Sequence, residues 1–272
     1  MGVINCTPDS FYSGSRNLDA KSAIELGIQM VRDGADLLDI GGESTRPSSE
    51  PVSAEEELRR IMPVIESLLQ AVAVPLSVDT YKSKVAERAF ELGVHILNDI
   101  SALSFDPDLA AIAAKFDVPV ILMHIKGTPK HMQENPNYSD VIGEIYEYFE
   151  HRIQYALAQG IKRKRIILDP GIGFGKRLED NYEILKGLKT FTALNYPILV
   201  GPSRKSFVGK VLNLPPEESL EGSLAAATVA ILNGAHILRV HDVKEMIRAA
   251  KIADCFVGKT SIGGKEYGYK AT

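Results

Sequence analysis

The sequence has only two cysteines among its 272 residues, and they lie near opposite ends of the chain, at Cys6 and Cys255. This number and this separation argue against a disulfide framework and against a cysteine-based zinc site. No apolar run approaches the roughly 20 residues that a membrane-spanning helix needs, and no signal-sequence pattern is present. We therefore expect a protein of the reducing cytoplasm.

Long blocks of like charge are also missing, and the net charge is only −4 with an isoelectric point near 5.9. Nothing in this distribution attracts nucleic acid or an anionic membrane, so the expected partners are small molecules. No linker rich in proline, glycine or serine divides the chain. With 45% hydrophobic residues, a single globular domain can bury a substantial core.

Short β-branched apolar runs alternate along the whole chain with longer segments of helical periodicity. The runs cover residues 2–5, 36–42, 75–79, 95–98, 119–123, 165–169, 197–201 and 236–240. The helical segments cover residues 20–32, 54–72, 82–92, 107–115, 141–158, 179–188, 216–233 and 244–253. This order is typical of a parallel sheet covered by helices, and eight repeats predict a single-domain (β/α)8 TIM barrel of the α/β class. We assign the barrel to residues 1–256 and expect residues 257–272 to form a frayed C-terminal tail.

Polar residues follow nearly every predicted strand. In a (β/α)8 barrel the C-terminal ends of the strands form the active-site face. Any one of these residues could simply cap a helix, but together they would bring carboxylates, an amide and cations to one mouth. They are Asn5, Glu43, Thr45, Arg46, Asp79, Asn98, Asp99, Met123, His124, Asp169, Ser203, Lys205, Arg239 and His241.

A glycine-rich segment, DPGIGFGK, occupies residues 169–176. It matches neither the P-loop nor the dinucleotide-binding pattern, because Lys176 stands where each requires a glycine. We interpret the glycines as positions where the backbone approaches a flat ligand on which Phe174 packs.

Two further segments suggest anion binding. Residues 201–206 precede a helix, whose free N–H groups together with Ser206 would receive an anion such as a carboxylate. Arg239 and His241 stand two residues apart in an extended chain, so their side chains point the same way. That pair suits a phosphate group, and the alternative is a salt bridge from Arg239 to Asp242 or to a neighbour.

Eight collinear segments, one after each predicted strand, resemble the dihydropteroate synthase family of pterin-binding barrels. They read NCTPDSF at 5–11, GGESTRP at 41–47, SVDT at 77–80, NDI at 98–100, LMH at 122–124, DPGIGFGK at 169–176, SRKS at 203–206 and RVHD at 239–242. The resemblance implies a transferase of folate biosynthesis. Such an enzyme condenses 6-hydroxymethyl-7,8-dihydropterin pyrophosphate with p-aminobenzoate, gives 7,8-dihydropteroate and pyrophosphate, and is competed by sulfonamides.

The resemblance also implies a role for individual residues. The pterin would be held by Asp79, Asn98, Ile100, Met123, Asp169, Gly201 and Lys205. The pyrophosphate would be held by Asn5, Arg46, Arg239 and His241, with Mg²⁺ bridging the phosphates and Asn5 as its protein ligand. The p-aminobenzoate would contact Phe11, Thr45, Pro47, Phe174, Lys205 and Ser206. The C–O bond would ionise before the amine attacks, and the catalytic residues would be Asp79, Asp169, Lys205, Arg239 and His241.

The first loop departs from the family pattern SFSDGG, because residues 10–15 of this chain read SFYSGS. Ser13 therefore replaces an acidic residue that can help to bind the metal, and we expect weaker or differently arranged ligation there. The resemblance further implies a homodimer formed through helices near the C-terminus. The apolar segment 224–231 could equally be buried on the barrel.

Two other functions are alternatives to this one. A pterin-binding methyltransferase barrel shares the pterin-holding Asp and Asn, but STRP at 44–47 and SRKS at 203–206 speak against it. A catalytically silent pterin-binding paralogue is the second alternative, and the Ser13 departure is its main support.

Overall fold

The structure is a computed structural model and describes residues 1–7, 16–47, 49–262 and 265–268. Phe11 and Ser13, which carry two of the expectations above, lie outside these residues. Among the described residues, no helix combines the length and apolar character needed to cross a bilayer.

Eight parallel strands form a closed barrel. They are β1 (Gly2–Asn5), β2 (Leu38–Gly41), β3 (Leu76–Asp79), β4 (Ile96–Asp99), β5 (Val120–Met123), β6 (Ile166–Asp169), β7 (Leu199–Val200) and β8 (Ile237–Leu238). Strands β1 to β6 pair in chain order, and β7 pairs with β8. Parallel bridges between Gly2 and Val240 and between Leu168 and Ile198 join the two sheets. The predicted (β/α)8 barrel is therefore confirmed.

Helices cover the outside of the barrel. They are α1 (Arg16–Arg32), α2 (Ala54–Ala71), α3 (Ser83–Leu92), α4 (Leu109–Phe116), α5 (Val141–Ala158), α6 (Leu178–Gly187), α7 (Ser206–Leu212), α8 (Leu220–Leu232) and α9 (Val243–Phe256). Short 3-10 turns occupy Arg163–Arg165, Leu188–Leu194 and Pro216–Glu218. The predicted helix 216–233 begins later than expected, at Leu220, because its prolines favour a 3-10 turn there.

The strands alternate between an outer and an inner face. Leu38, Val78 and Leu122 belong to the large core between the strands and the helices. Their neighbours therefore point into the barrel. At the amino ends the interior is filled by Met1, Ile121 and Leu199, packed with partly buried isoleucines and a leucine. The same alternation places polar residues at the carboxyl ends, which locates the candidate site.

The C-terminal segment differs from its expectation. The strands β9 (Val257–Ile262) and β10 (Lys265–Gly268) pair antiparallel, where the sequence predicted a frayed tail. The backbone hydrogen bonds of a two-stranded hairpin form without a buried apolar face, so the hairpin left no apolar periodicity in the sequence by which it could be predicted.

Candidate functional site

Arg239 lies at the centre of a charged cluster inside the mouth of the barrel. Its Nε donates to Asp39 Oδ2 at 2.6 Å, and its terminal nitrogen donates to Asp79 Oδ2 at 2.7 Å. The structure thus contains the salt bridge to a neighbour that was the alternative to phosphate binding, and it still leaves N–H groups of Arg239 for an anion. Its salt-bridge partners are not Asp242, which instead accepts from Arg204 Nε at 3.0 Å. The reason is the strand alternation, which points Arg239 inward towards the two carboxylates.

Asp39 is a site residue that the sequence reasoning missed. It is 0% exposed, and its Oδ2 accepts from Asn98 Nδ2 at 2.9 Å as well as from Arg239. It therefore connects a residue that was assigned to the pterin, Asn98, with one that was assigned to the pyrophosphate, Arg239. The available signal was a charged residue within the apolar run of the second strand, since buried charges are uncommon unless they are paired.

Two further carboxyl groups of the mouth, those of Asp79 and Asp169, have raised pKa values. Burial raises the pKa of Asp79 to about 7, although the cation of Arg239 opposes this change. Burial also raises the pKa of Asp169, whose Oδ1 accepts from the backbone N–H of Gly171 at 2.8 Å. Asp79 can therefore hold or release a proton close to neutral pH.

Lys205 lies close to Phe174, with its Nζ 4.1 Å from the ring centroid, and the resemblance assigned both residues to the same substrate. Burial lowers the pKa of Lys205 to about 8, and the neighbouring Arg239 contributes to the same effect. An apolar wall stands beside this pair. It consists of Ile100, Met123, Ile125, Met132 and Phe174, with Tyr81 and Phe105 packed against it.

His241 lies against Ser203 at the same mouth. The backbone N–H of His241 donates to Ser203 Oγ at 3.3 Å, and the hydroxyl lies 3.2 Å from His241 Nδ1. Burial and the nearby cations of Arg239, Arg204 and Lys205 lower the pKa of His241 to about 4. The imidazole is therefore neutral at pH 7, with Nδ1 in contact with the Ser203 hydroxyl.

The glycine-rich segment has a different role from the one expected. A Cβ at Gly171 would lie 2.0 Å from His124 O, and one at Gly175 would lie 2.3 Å from Lys126 O. Both glycines have positive φ angles, +68° and +62°. They let the backbone approach the neighbouring loop rather than a ligand.

Lys176, at the end of this segment, was not predicted as a structural residue. It is 3% exposed, and its Nζ lies 3.0 Å from His124 Nδ1, 3.3 Å from His124 O and 2.9 Å from Phe174 O. Burial lowers the pKa of Lys176 to about 7. The lysine holds the loops after β5 and β6 together.

The other candidates surround this mouth less tightly. Asn5 ends β1 and is half-buried, and Gly201 follows β7 beside Arg239. Thr45 is half-buried, whereas Arg46 and Pro47 are exposed. Ser206 is an exposed residue at the start of α7.

A second charged cluster lies beside the loop that follows β2. Lys82 Nζ contacts Glu43 Oε2 at 2.6 Å and Glu57 Oε2 at 2.5 Å. Tyr81 donates its hydroxyl hydrogen to Glu43 Oε1 at 2.6 Å. The sequence placed Glu43 at the mouth but did not indicate its contacts with Lys82 and Tyr81, because these residues lie far from Glu43 in the chain.

A divalent metal has few protein ligands available at this mouth. Within the residues that the structure describes, no group of three or more His, Cys, Asp or Glu residues could hold a metal ion. Asn5 offers one amide oxygen. Mg²⁺ is commonly bound by one or two protein oxygens together with substrate phosphates, so this donor set fits a metal that arrives with a diphosphate.

Comparison with known proteins agrees with this geometry. The model of the pterin-binding enzyme family matches residues 1–241. Dihydropteroate synthase of Escherichia coli (strain K12) is 46% identical over 254 residues, covering 93% of this chain and 90% of the relative. A structure of the Yersinia pestis dihydropteroate synthase with a sulfonamide drug complex has a TM-score of 0.89 at 46% identity, covering 93% of this chain and 92% of that one. The Xanthomonas albilineans dihydropteroate synthase with 4-aminobenzoic acid has a TM-score of 0.88 at 42% identity, covering 93% and 90%. The chain therefore belongs to the pterin-binding enzymes and, within them, to the dihydropteroate synthase family.

Proposed function

We propose that this chain joins 6-hydroxymethyl-7,8-dihydropterin pyrophosphate to p-aminobenzoate, forming 7,8-dihydropteroate and releasing pyrophosphate. One observation carries the proposal: the buried Asp169 and Asn98 stand at the barrel mouth next to an apolar wall that includes Met123 and Phe174. A flat heterocycle with several donors on one edge matches such a pocket.

The pterin ring would lie between this wall and the charged cluster. Its pyrimidinone edge presents adjacent N–H donors, which suit the carboxylate of Asp169. Asn98 and Asp79 would hold the opposite ring edge, and Lys205 would contact the ring carbonyl. Ile100, Met123 and Gly201 would complete the pocket without adding charge.

The diphosphate would bind beside Arg239 and His241. Two of the five N–H donors of Arg239 already bond to Asp39 and Asp79, so three remain for phosphate oxygens. The neutral His241 would add another donor in the tautomer whose hydrogen is on Nε2, where the Ser203 hydroxyl donates to Nδ1. Asn5 and Arg46 would complete this part of the site.

Asn5 would also be the protein ligand of Mg²⁺, which, when bound, neutralises charge that develops on the departing diphosphate. In the reaction, the C–O bond breaks and its electron pair leaves with the diphosphate. The resulting methylene cation is conjugated with the pterin, and the nearby carboxylate of Asp79 stabilises it. The amine nitrogen then forms the C–N bond and loses one proton.

The p-aminobenzoate would bind between the exposed loops. Thr45, Pro47 and Phe174 would contact its ring, and Ser206 with Lys205 would receive its carboxylate. Phe11 would close over the amine, a role that falls outside the described residues. Sulfonamides would compete for the same place.

The decisive experiment measures pyrophosphate release by the purified protein given both substrates and Mg²⁺. Release should require each substrate, and Asp169→Asn should reduce it strongly while its melting temperature shows that the variant is folded. No release by the folded wild type would overturn the proposal. Binding of methyltetrahydrofolate without any turnover would favour the methyltransferase alternative, and pterin binding alone would favour the silent paralogue.

We also infer a cytoplasmic homodimer. Exposed apolar side chains on the C-terminal helices, including Val229, Leu232, Ile252 and Phe256, support association of two copies through that side. The cysteines Cys6 and Cys255 are unpaired, which fits a reducing compartment. Light scattering at micromolar concentration should give the mass of a dimer, and a monomeric mass would contradict the assembly.

A further inference from the structure

The loop after β2 is held at both of its ends by one side chain. Glu43 Oε2 accepts from the backbone N–H of Val52 at 2.9 Å, which joins the start of the loop to its end. Within the loop, Ser49 Oγ donates to Ser44 O at 2.6 Å, and the exposed Glu50 pairs with Lys130 Nζ at 2.8 Å. Glu43 is the buried carboxylate that joins the two ends of the loop, so its position helps to determine the conformation of the loop.

Glu43 is itself fixed from two directions. Its side chain is only 7% exposed, and Lys82 neutralises it from one side while Tyr81 donates to its other oxygen. Lys82 is fixed in turn by the buried Glu57 of α2. Both carboxylate oxygens of Glu43 are therefore in use: Oε1 accepts from Tyr81, and Oε2 accepts from Val52 and Lys82.

Tyr81 connects this anchor to the pocket wall. Its ring packs edge-on against Phe105, with the centroids 5.4 Å apart, and both rings border the apolar wall that contains Met123 and Phe174. A continuous series of contacts therefore connects the apolar wall, through Tyr81 and Glu43, to the loop that carries Thr45.

We propose that Glu43 is a positioning residue for the arylamine substrate, because its carboxylate fixes the loop after β2 relative to the apolar wall. The inference rests on the proposed function, which assigns Thr45 and Pro47 of this loop to p-aminobenzoate. Glu43 does not touch the reacting atoms. It acts through the loop, so its loss affects the use of the arylamine more than the use of the pterin.

Glu43→Gln tests this with little change in size. A glutamine has one oxygen and one NH₂ group, so it loses the ion pair with Lys82, and either the bond with Tyr81 reverses its direction or Val52 and Lys82 face a donor instead of an acceptor. With the pterin substrate saturating, the KM for p-aminobenzoate should rise about tenfold, and the KM for the pterin substrate should stay within roughly twofold. KM does not depend on the fraction of folded enzyme, so a purely structural role would not produce this difference.

Glu57→Gln is the matched control. It removes a buried carboxylate from the same Lys82 but does not bond to Val52 or to the other residues after Glu43 in the loop, and one amide oxygen is enough to accept from the lysine. Its KM for p-aminobenzoate should match that of the wild type. Tyr81→Phe, which deletes a single hydrogen bond to Glu43, should raise this KM by about threefold and remains informative if Glu43→Gln does not fold.

The outcomes separate this inference from the function itself. If the wild type releases no pyrophosphate, the proposed function fails and the role of Glu43 falls with it. If the wild type is active, an unchanged KM for p-aminobenzoate in the folded Glu43→Gln and Tyr81→Phe variants overturns the positioning role alone. An equal rise of both KM values would also overturn it, because that result indicates general distortion of the mouth.

Discussion

The loops after β2 and β6 stand at the same mouth but are held in place in opposite ways. In the loop after β6, residues 170–172 and 174–176 are buried, and Gly171 and Gly175 lie against the backbone of the loop after β5. In the loop after β2, Arg46, Pro47, Glu50 and Pro51 are exposed, and the hydrogen bond between Glu43 and Val52 ties its ends together.

The difference indicates how a pocket for two substrates can be built. The loop after β6 is part of the packed interior and gives the proposed pterin pocket a fixed shape before any ligand arrives. The loop after β2 has few buried apolar contacts, so little free energy is needed to change its conformation. A loop of this kind can adapt to the second substrate, provided that its ends are fixed.

The largest effect is expected from Gly171→Ala in the packed loop. The added Cβ would lie 2.0 Å from His124 O, at a φ angle of +68° that side chains disfavour. We expect a loss of at least about 3 kcal/mol in the free energy of unfolding, measured by urea denaturation.

Gly93→Ala is the control for backbone strain alone. Its φ angle is +104°, but no atom lies within 4 Å of the added Cβ. It should cost only about 1 kcal/mol, which is the usual price of a left-handed position without a clash. Equal losses in the two variants would show that the contact with His124 does not matter.

Amide hydrogen exchange compares the two loops without any mutation. The N–H of Gly173 donates to Asn181 Oδ1 at 2.7 Å within the packed loop, and the N–H of Val52 donates to Glu43 at 2.9 Å. Although both amides are hydrogen-bonded, we expect the one at Gly173 to exchange about a hundredfold more slowly, because its opening requires displaced packing. Similar rates would remove the distinction between the loops.

The sequence alone predicted the architecture that carries both loops. Apolar periodicity identified all eight strands, and the position of Asp169, Asn98 and Asp79 directly after the apolar runs predicted that they would meet. Strand alternation also predicted that Arg239 and His241 point the same way. Its partner could not be predicted, because Asp39 lies 200 residues away along the chain and nothing local marks the contact.

The interior of the glycine-rich loop was equally hidden. A lysine that follows three glycines is typical of an exposed loop, whereas Lys176 is buried and bonded to His124 and Phe174. Its burial depends on the packing of the loops after β5 and β6, which is a tertiary property. The glycines were correctly identified as sites of close approach, but the approaching group is protein backbone.

The buried Lys176 should make stability depend on pH. Its pKa is about 7 in the folded protein and 10.5 when unperturbed, so between these values the unfolded chain binds more protons than the native one. Stability therefore rises with pH across this window, and below pH 7 the penalty for the buried charge is complete. In Lys176→Met this rise should be smaller by about 1–2 kcal/mol between pH 7 and 9, measured by urea denaturation at each pH. Parallel curves for the variant and the wild type would contradict the assignment.

The smallest effect is expected where the β2 loop enters α2. Ser53 is the N-cap residue of this helix, and its hydroxyl oxygen accepts from the N–H of Glu56 at 3.2 Å. Ser53→Ala should lower the free energy of unfolding by about 1 kcal/mol. The N–H of Glu56 loses the hydroxyl oxygen that accepts from it, and water replaces this hydrogen bond only in part. Ser67→Ala, in the exposed interior of the same helix, removes a hydroxyl that bonds to Pro63 O and should change stability by less.

If the ends of the loop are fixed mainly by Glu43, Ser53→Ala should leave the KM for p-aminobenzoate unchanged. A rise like that expected for Glu43→Gln would instead show that the helix cap, and not the carboxylate, determines where the loop lies.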